Sequence, residues 1–217
     1  MTTGTVAVLC AALAACASST PDSPPPTPSY SASSLASASS SASPTTVPVA
    51  NSCGASELAK LSVRQKLAQL IVVGVTGAAD AQQIVENEEI GGIFVGSWTD
   101  KAILTSGAAA RISQNSPIPL MVTVDQEGGR VSRLSALGID HASARELAQT
   151  KTPEQVRAIA ADVGRKLKRL GVTVDFAPVA DVSDESDNEV VGDRSFSNDP
   201  AVVTEYAGAY AAGLADA

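Results

Sequence analysis

Asp125, Glu127, Arg130 and Arg133 crowd into one short stretch, Pro119-Leu-Met-Val-Thr-Val-Asp-Gln-Glu-Gly-Gly-Arg-Val-Ser-Arg-Leu134. Carboxylates accept hydrogen bonds from hydroxyl groups, and guanidiniums return forked donors to hydroxyl, carboxylate or carbonyl oxygens. Together they can build a polar site. Gly128-Gly129 lets the backbone turn sharply, with φ > 0 where needed, and lets a ligand approach closely. Asp125 and Glu127 invite comparison with a catalytic carboxylate pair, being roughly 6.6 Å apart along an extended chain. That pairing is rejected, because catalytic carboxylates must flank a bond from opposite sides and neighbours on one strand end do not.

The residues before this cluster are apolar and β-branched, Leu120 to Val124, as for a strand buried on both faces. A buried strand that ends in charged groups is how α/β barrels and open sheets build polar sites. The same rhythm recurs along the chain. Ser62-Val-Arg-Gln65 has the form of a capping box, leading into a first buried strand over Leu70–Val75. Asp80–Glu89 is a polar helix candidate, Ile90–Gly96 a second strand, and Lys101–Gln114 a further helix. After the central stretch, Thr152-Pro-Glu-Gln155 opens a helix with apolar Val156, Ile159, Ala160, Val163, Leu167 and Leu170 at three- and four-residue steps, stopped by Gly171. A fourth strand is expected over Val172–Val179. An acidic loop, Ser183–Asp193, then precedes Arg194, and Asp199-Pro200 caps an Ala-rich helix. Strands apolar throughout, alternating with helices, mean a parallel sheet. A doubly wound open sheet is the rival fold, but no G-x-G-x-x-G follows the first strand to support a dinucleotide site.

The charged residues also have plain structural roles open to them. Asp125 can cap the turn after its strand, Arg133 can be a solvated helix residue, and Arg194 can pair with Asp184, Glu185, Asp187 or Asp193. Arg130 is read as structural.

The first quarter of the chain is of another kind. Every Lys and Arg lies at or beyond Lys60, and the formal charge is −8, so no basic surface for nucleic acid is expected. Val6–Ala15 is apolar and too short to span a membrane, about the length of a signal-peptide core. Its end, Leu13-Ala-Ala-Cys16, resembles a bacterial lipobox, although Met1-Thr-Thr3 lacks the usual basic flank. The expectation is a signal peptide over 1–15 and lipid on Cys16. Residues 16–55 then form a Ser/Pro/Ala-rich tether that would hold a globular domain roughly 30 Å off a membrane as a coil. Cys10 would leave with the signal, and Cys53 would remain unpaired, its mate expected beyond residue 217.

Three strings in one order carry a family resemblance: Asp125-Gln-Glu-Gly-Gly-Arg-Val-Ser-Arg133, then Val172-Thr-Val-Asp-Phe-Ala-Pro-Val-Ala-Asp-Val182, then Gly192-Asp-Arg-Ser-Phe196 followed by Asp199-Pro200. They resemble the N-terminal domain of family 3 glycoside hydrolases, in particular its β-N-acetylhexosaminidase branch. The resemblance covers residues 56–217. It implies a parallel (β/α)8 barrel of which this chain holds about the first four β/α units, since a closed barrel takes eight and about 250 residues. It further implies that Asp125 accepts hydrogen bonds from sugar hydroxyls, that Arg133 shares that pocket, and that Arg194 reaches it from the fourth βα-loop. The family's aspartate nucleophile, and the histidine acid/base of its K-H-x-P-G-H-G string, belong to later strands. No catalytic group is therefore expected within this chain, and His141 reads as a helix-start or surface residue. The implied protein is a retaining, exo-acting enzyme on terminal β-linked N-acetylglucosamine in peptidoglycan fragments or related glycans. It needs no metal or cofactor, and is lipid-anchored on the outer face of a bacterial cell membrane. A β-glucosidase-like enzyme and a non-catalytic glycan-binding lipoprotein are the alternatives.

Overall fold

The computed structural model describes residues 54–217. The apolar run, the Ser/Pro/Ala-rich stretch, and Cys10, Cys16 and Cys53 lie outside the described residues. Two short helices come first, α1 (Ala55–Lys60) and α2 (Val63–Ala68). The capping box at α2 forms as the sequence predicts: Ser62 Oγ accepts from Gln65 N–H while the Gln65 side chain accepts from Ser62 N–H.

Three β/α alternations follow. They comprise β1 (Val72–Gly74), α3 (Ala78–Glu88), β2 (Gly92–Val95), α4 (Ala102–Thr105), α5 (Ala108–Asn115) and β3 (Met121–Val124). Next come the short strands β4 (Gln126–Gly128) and β5 (Val131–Ser132), helices α6 (Ala144–Thr150) and α7 (Pro153–Arg169), strand β6 (Val174–Asp175) and α8 (Pro200–Ala215). The four long-range strands pair in parallel in the order β1-β2-β3-β6, while β4 and β5 form a separate antiparallel hairpin.

Alternation along the strands gives the sheet two unlike faces. Val75, Ile93, Val95, Val122 and Val124 point to the helix side and are fully buried with residues of α3, α5 and α7. Each such side chain contributes roughly 1.5–3 kcal/mol by leaving water. A second cluster joins Leu147 of α6, Val156 and Ala160 of α7, Phe196, and Val203 and Tyr210 of α8. Gly213 allows the close α7–α8 approach, since a Cβ there would meet the Arg157 carbonyl oxygen at 2.2 Å. Among the described residues no helix is long and apolar enough to cross a membrane.

Four expectations need correction. The helix expected over Lys101–Gln114 is two helices, broken where Gly107 takes φ +71°. The strand at Leu70–Val75 is shorter and only half-buried, with Leu70 80% exposed, because β1 is an edge of the described sheet. The strand at Val172–Val179 keeps ladder pairing only at Val174–Asp175 before the chain leaves the sheet. No strand is expected directly after Asp125, yet Gln126–Gly128 and Val131–Ser132 pair as the β4–β5 hairpin.

Candidate functional site

The parallel register sets the site. Val95 pairs with Val124 and Val124 with Asp175, so the next residues, Gly96, Asp125 and Phe176, stand level at the C-terminal ends of three adjacent strands. Because Val95 and Val124 face the helices, Gly96, Asp125 and Phe176 belong to the opposite, inner face. Asp125 is thus delivered to the rim where α/β folds place their chemistry. Its carboxyl is held above the usual carboxylate range, first by burial and then by the neighbouring Glu127, while Arg133 and Arg194 pull it back down. Glu127, Arg133 and Arg194 are thus all close enough to act on the Asp125 charge. The three residues singled out from the sequence, Asp125, Arg133 and Arg194, are brought together.

Glu127 is the member to which the sequence assigned no role. Its carboxylate receives two parallel hydrogen bonds from Arg194, Nε to Oε2 at 2.7 Å and Nη2 to Oε1 at 2.8 Å. The Glu127 side chain is only 8% exposed in this pair. A bidentate fork fixes the guanidinium plane as well as its position. Arg194 therefore does not pair with the acidic loop through its side-chain carboxylates, one of the roles open to it from sequence. The only signal for Glu127 was its spacing, two residues from Asp125 along an extended chain, which puts both on one face.

The acidic loop is instead pinned by Arg130 and Arg145. Arg130 Nε donates to Asp193 Oδ1 at 2.7 Å, and its Nη2 donates to the carbonyls of Val190 and Val191. Arg145 reaches Asp187 Oδ1 and the carbonyls of Glu185, Ser183 and Gly192. The structural reading of Arg130 matches these contacts. Thus the loop arrives at Arg194 in a fixed conformation.

The hairpin that carries Glu127 and leads to Arg133 is equally well held. Gln126 is fully buried; its Nε2 donates to Ser132 Oγ at 2.7 Å and its Oε1 accepts from Leu134 N–H at 2.9 Å. Gly128 and Gly129 have φ +85° and +51°, and a Cβ on Gly128 would meet His141 Cε1 at 2.3 Å. His141 is no free surface residue. It is half-buried, with Nε2 2.8 Å from Tyr210 Oη and Nδ1 2.9 Å from the Ala142 carbonyl, and burial holds its imidazole below the usual range. It lies just before Ser143, the N-cap of α6.

Two further ionisable groups border the cluster. Asp175, on the helix side of β6, accepts from Gln126 N–H through Oδ1 at 2.9 Å, while its Oδ2 is buried with no partner among the described residues. Burial, with Asp125 and Glu127 nearby, pushes its carboxyl up to about 7. On the other flank, Lys101 Nζ donates to the carbonyls of Gly96 and Thr99, each at 2.8 Å. Burial and the nearby Arg133 lower its ammonium. Arg133 makes no hydrogen bond or ion pair among the described residues and is half-buried, which leaves its donors open to a ligand. Among the described residues no group of three His, Cys, Asp or Glu side chains is disposed to hold a metal ion.

The family model for the glycosyl hydrolase family 3 N terminal domain matches residues 62–217. The chain belongs to glycosyl hydrolase family 3. Beta-hexosaminidase LpqI of Mycobacterium tuberculosis is 58% identical over 174 residues, covering 79% of this chain and 45% of the relative. The crystal structure of a family 3 glycosyl hydrolase from Mycobacterium smegmatis superposes with a TM-score of 0.72 at 60% identity, over 73% of this chain and 48% of that one. A family 3 beta-N-acetylglucosaminidase from Paenibacillus gives a TM-score of 0.62 at 26% identity, over 72% and 31%. The chain spans about half the length of the LpqI relatives it matches. Its four parallel strands are the N-terminal part of the family's (β/α)8 barrel.

Proposed function

We propose that this chain supplies part of the sugar-binding pocket of a retaining, exo-acting β-N-acetylhexosaminidase that removes terminal β-linked N-acetylglucosamine from peptidoglycan fragments or related glycans. One observation carries the reading: Asp125, Arg133 and Arg194 share a single cluster of charge on the C-terminal rim. Asp125 accepts hydrogen bonds from ring hydroxyls remote from the reacting bond. Arg133 and Arg194 donate to oxygens of the same ring. Such remote contacts hold the ring in the distorted shape that glycoside cleavage requires. Glu127 serves as a positioning residue that aims Arg194, and it takes no part in bond breaking. The names of the similar proteins, beta-hexosaminidase and beta-N-acetylglucosaminidase, support the substrate class.

The same reading places the protein in the cell envelope, with Cys16 carrying lipid and residues 16–55 serving as the tether. Its support is the sequence pattern around Leu13–Cys16. Fatty-acid labelling that is lost in Cys16→Ala is the expected result, and labelling that persists in that variant would refute the anchor.

For the activity, the full-length protein is tested on nitrophenyl β-N-acetylglucosaminide and nitrophenyl β-glucoside. Faster turnover of the acetylated substrate is expected, with KM raised and kcat lowered in Asp125→Ala. Preference for the glucoside would assign a β-glucosidase instead.

A further inference from the structure

Trp98 is 61% exposed, yet its position is closely specified. A Cβ on Gly96 would meet the indole atoms Cη2, Cζ2 and Cζ3 at 2.5, 2.6 and 2.6 Å. Three adjacent ring carbons at nearly equal distance lie that way only when the ring presents its face, not its edge, to Gly96. The ring also covers Gly74, where a Cβ would meet Cζ2 at 3.0 Å. The two glycines therefore form a seat for one face of the indole, and the other face is uncovered among the described residues. Phe94 backs the ring, with centroids 5.9 Å apart. The turn that carries Trp98 is tied at both ends. Thr99 Oγ1 donates to the Val75 carbonyl at 2.6 Å and accepts from Gly96 N–H at 3.0 Å, and the Lys101 ammonium holds the Gly96 and Thr99 carbonyls.

Gly96 stands level with Asp125 on the neighbouring strand, and the indole extends from there toward Gly74 on the strand beyond. The platform is thus displaced from the Asp125 strand by one to two strand spacings, roughly 5–10 Å. A pyranose has an edge of hydroxyls and a face of C–H bonds, so it is recognised by charged acceptors and donors on one side and an aromatic plane on the other. Asp125 and the arginines offer the first kind of contact and Trp98 the second, one to two strand spacings along the rim.

Building on the pocket proposed above, we propose that the free face of Trp98 is a stacking subsite for the second sugar of the glycan, next to the ring held by Asp125, Arg133 and Arg194. The indole is already fixed in place, so binding loses little side-chain freedom there.

The test compares N-acetylglucosamine with the non-hydrolysable, sulfur-linked analogue of N,N′-diacetylchitobiose on the full-length protein and its Trp98→Ala, Trp98→Phe and Asp125→Ala variants. Affinity is read by calorimetry, and Trp98 emission as the difference between wild type and Trp98→Phe. We expect the disaccharide to perturb Trp98 emission, and Trp98→Ala to weaken the disaccharide about tenfold while leaving the monosaccharide within twofold. Trp98→Phe should retain most of the affinity. Equal weakening of both sugars, no weakening of either, or unchanged emission on saturation with disaccharide would overturn the subsite. If Asp125→Ala binds both sugars as wild type does while Trp98→Ala remains selective, the platform stands and the hydroxyl-binding pocket falls. Failure of the wild type to bind either sugar rejects both.

Discussion

Arg194 grips Glu127 through two parallel hydrogen bonds of 2.7 and 2.8 Å, joining residues 67 positions apart in the chain. The pair links the hairpin after β3 to the loop after β6, so the two loops of the rim form one unit. Removing Arg194 alone leaves a nearly buried carboxylate without its partner, and a broken buried pair costs about 3–5 kcal/mol. Arg194 is 30% exposed, so solvent relieves part of that. Arg194→Met is therefore expected to destabilise the protein by roughly 2–3 kcal/mol, and the double variant Glu127→Gln/Arg194→Met by less than the sum of Arg194→Met and Glu127→Gln. Urea unfolding of the two single variants and the double variant checks this. Additive losses would show that the contact carries no coupling.

Asp175 gives a pH signature. Its carboxyl titrates at about 7 in the folded protein, against an ordinary value of 3.8. Between these values the folded chain retains a proton that the unfolded chain has released. The contribution is thus fully present below pH 4 and is lost as pH rises through about 7. Its ceiling is on the order of 4 kcal/mol. Asp175→Asn keeps the acceptor for Gln126 N–H and removes the titration. That variant should match wild type near pH 4 and exceed it in stability at pH 8, measured by denaturant unfolding at both values. The same pH slope in variant and wild type would show that Asp175 does not hold the proton.

Gly128 and Gly138 separate conformational strain from collision. Both have positive φ, +85° and +71°, but a Cβ at Gly138 meets nothing within 4 Å, whereas at Gly128 it would strike His141. Gly138→Ala should cost about 1 kcal/mol from backbone strain alone. Gly128→Ala should cost at least twice that and displace His141 from Tyr210. Chemical unfolding, together with the His141 imidazole resonances, measures both effects. Equal losses at the two positions would mean that His141 yields freely.

These residues also show what the sequence made legible. The alternation of apolar strands and helices, the capping boxes at Ser62 and Thr152, and the convergence of Asp125, Arg133 and Arg194 were readable, because each rests on local periodicity, capping chemistry or motif strings. The Arg194 partner was not. Asp193 lies beside Arg194 in sequence, yet Arg130 claims it, and that choice is made by loop packing across 63 positions. The β4–β5 hairpin escaped notice because Gly-Gly reads equally as loop or turn, and its register is set by the buried Gln126 amide. Trp98 had no periodic signal at all. Its role depends on two glycines, 74 and 96, that lie on neighbouring strands.

The most direct test is the affinity of the full-length protein for N-acetylglucosamine, measured by titration calorimetry for wild type and Asp125→Ala. Two charge-assisted hydrogen bonds from ring hydroxyls to one carboxylate are together worth about 3 kcal/mol or more, so the variant should bind at least 100-fold more weakly. Binding should also weaken on acidification, since a carboxyl held above the usual range gains its proton early and loses its acceptors. An Asp125→Ala variant that binds the sugar within twofold of wild type would contradict the account.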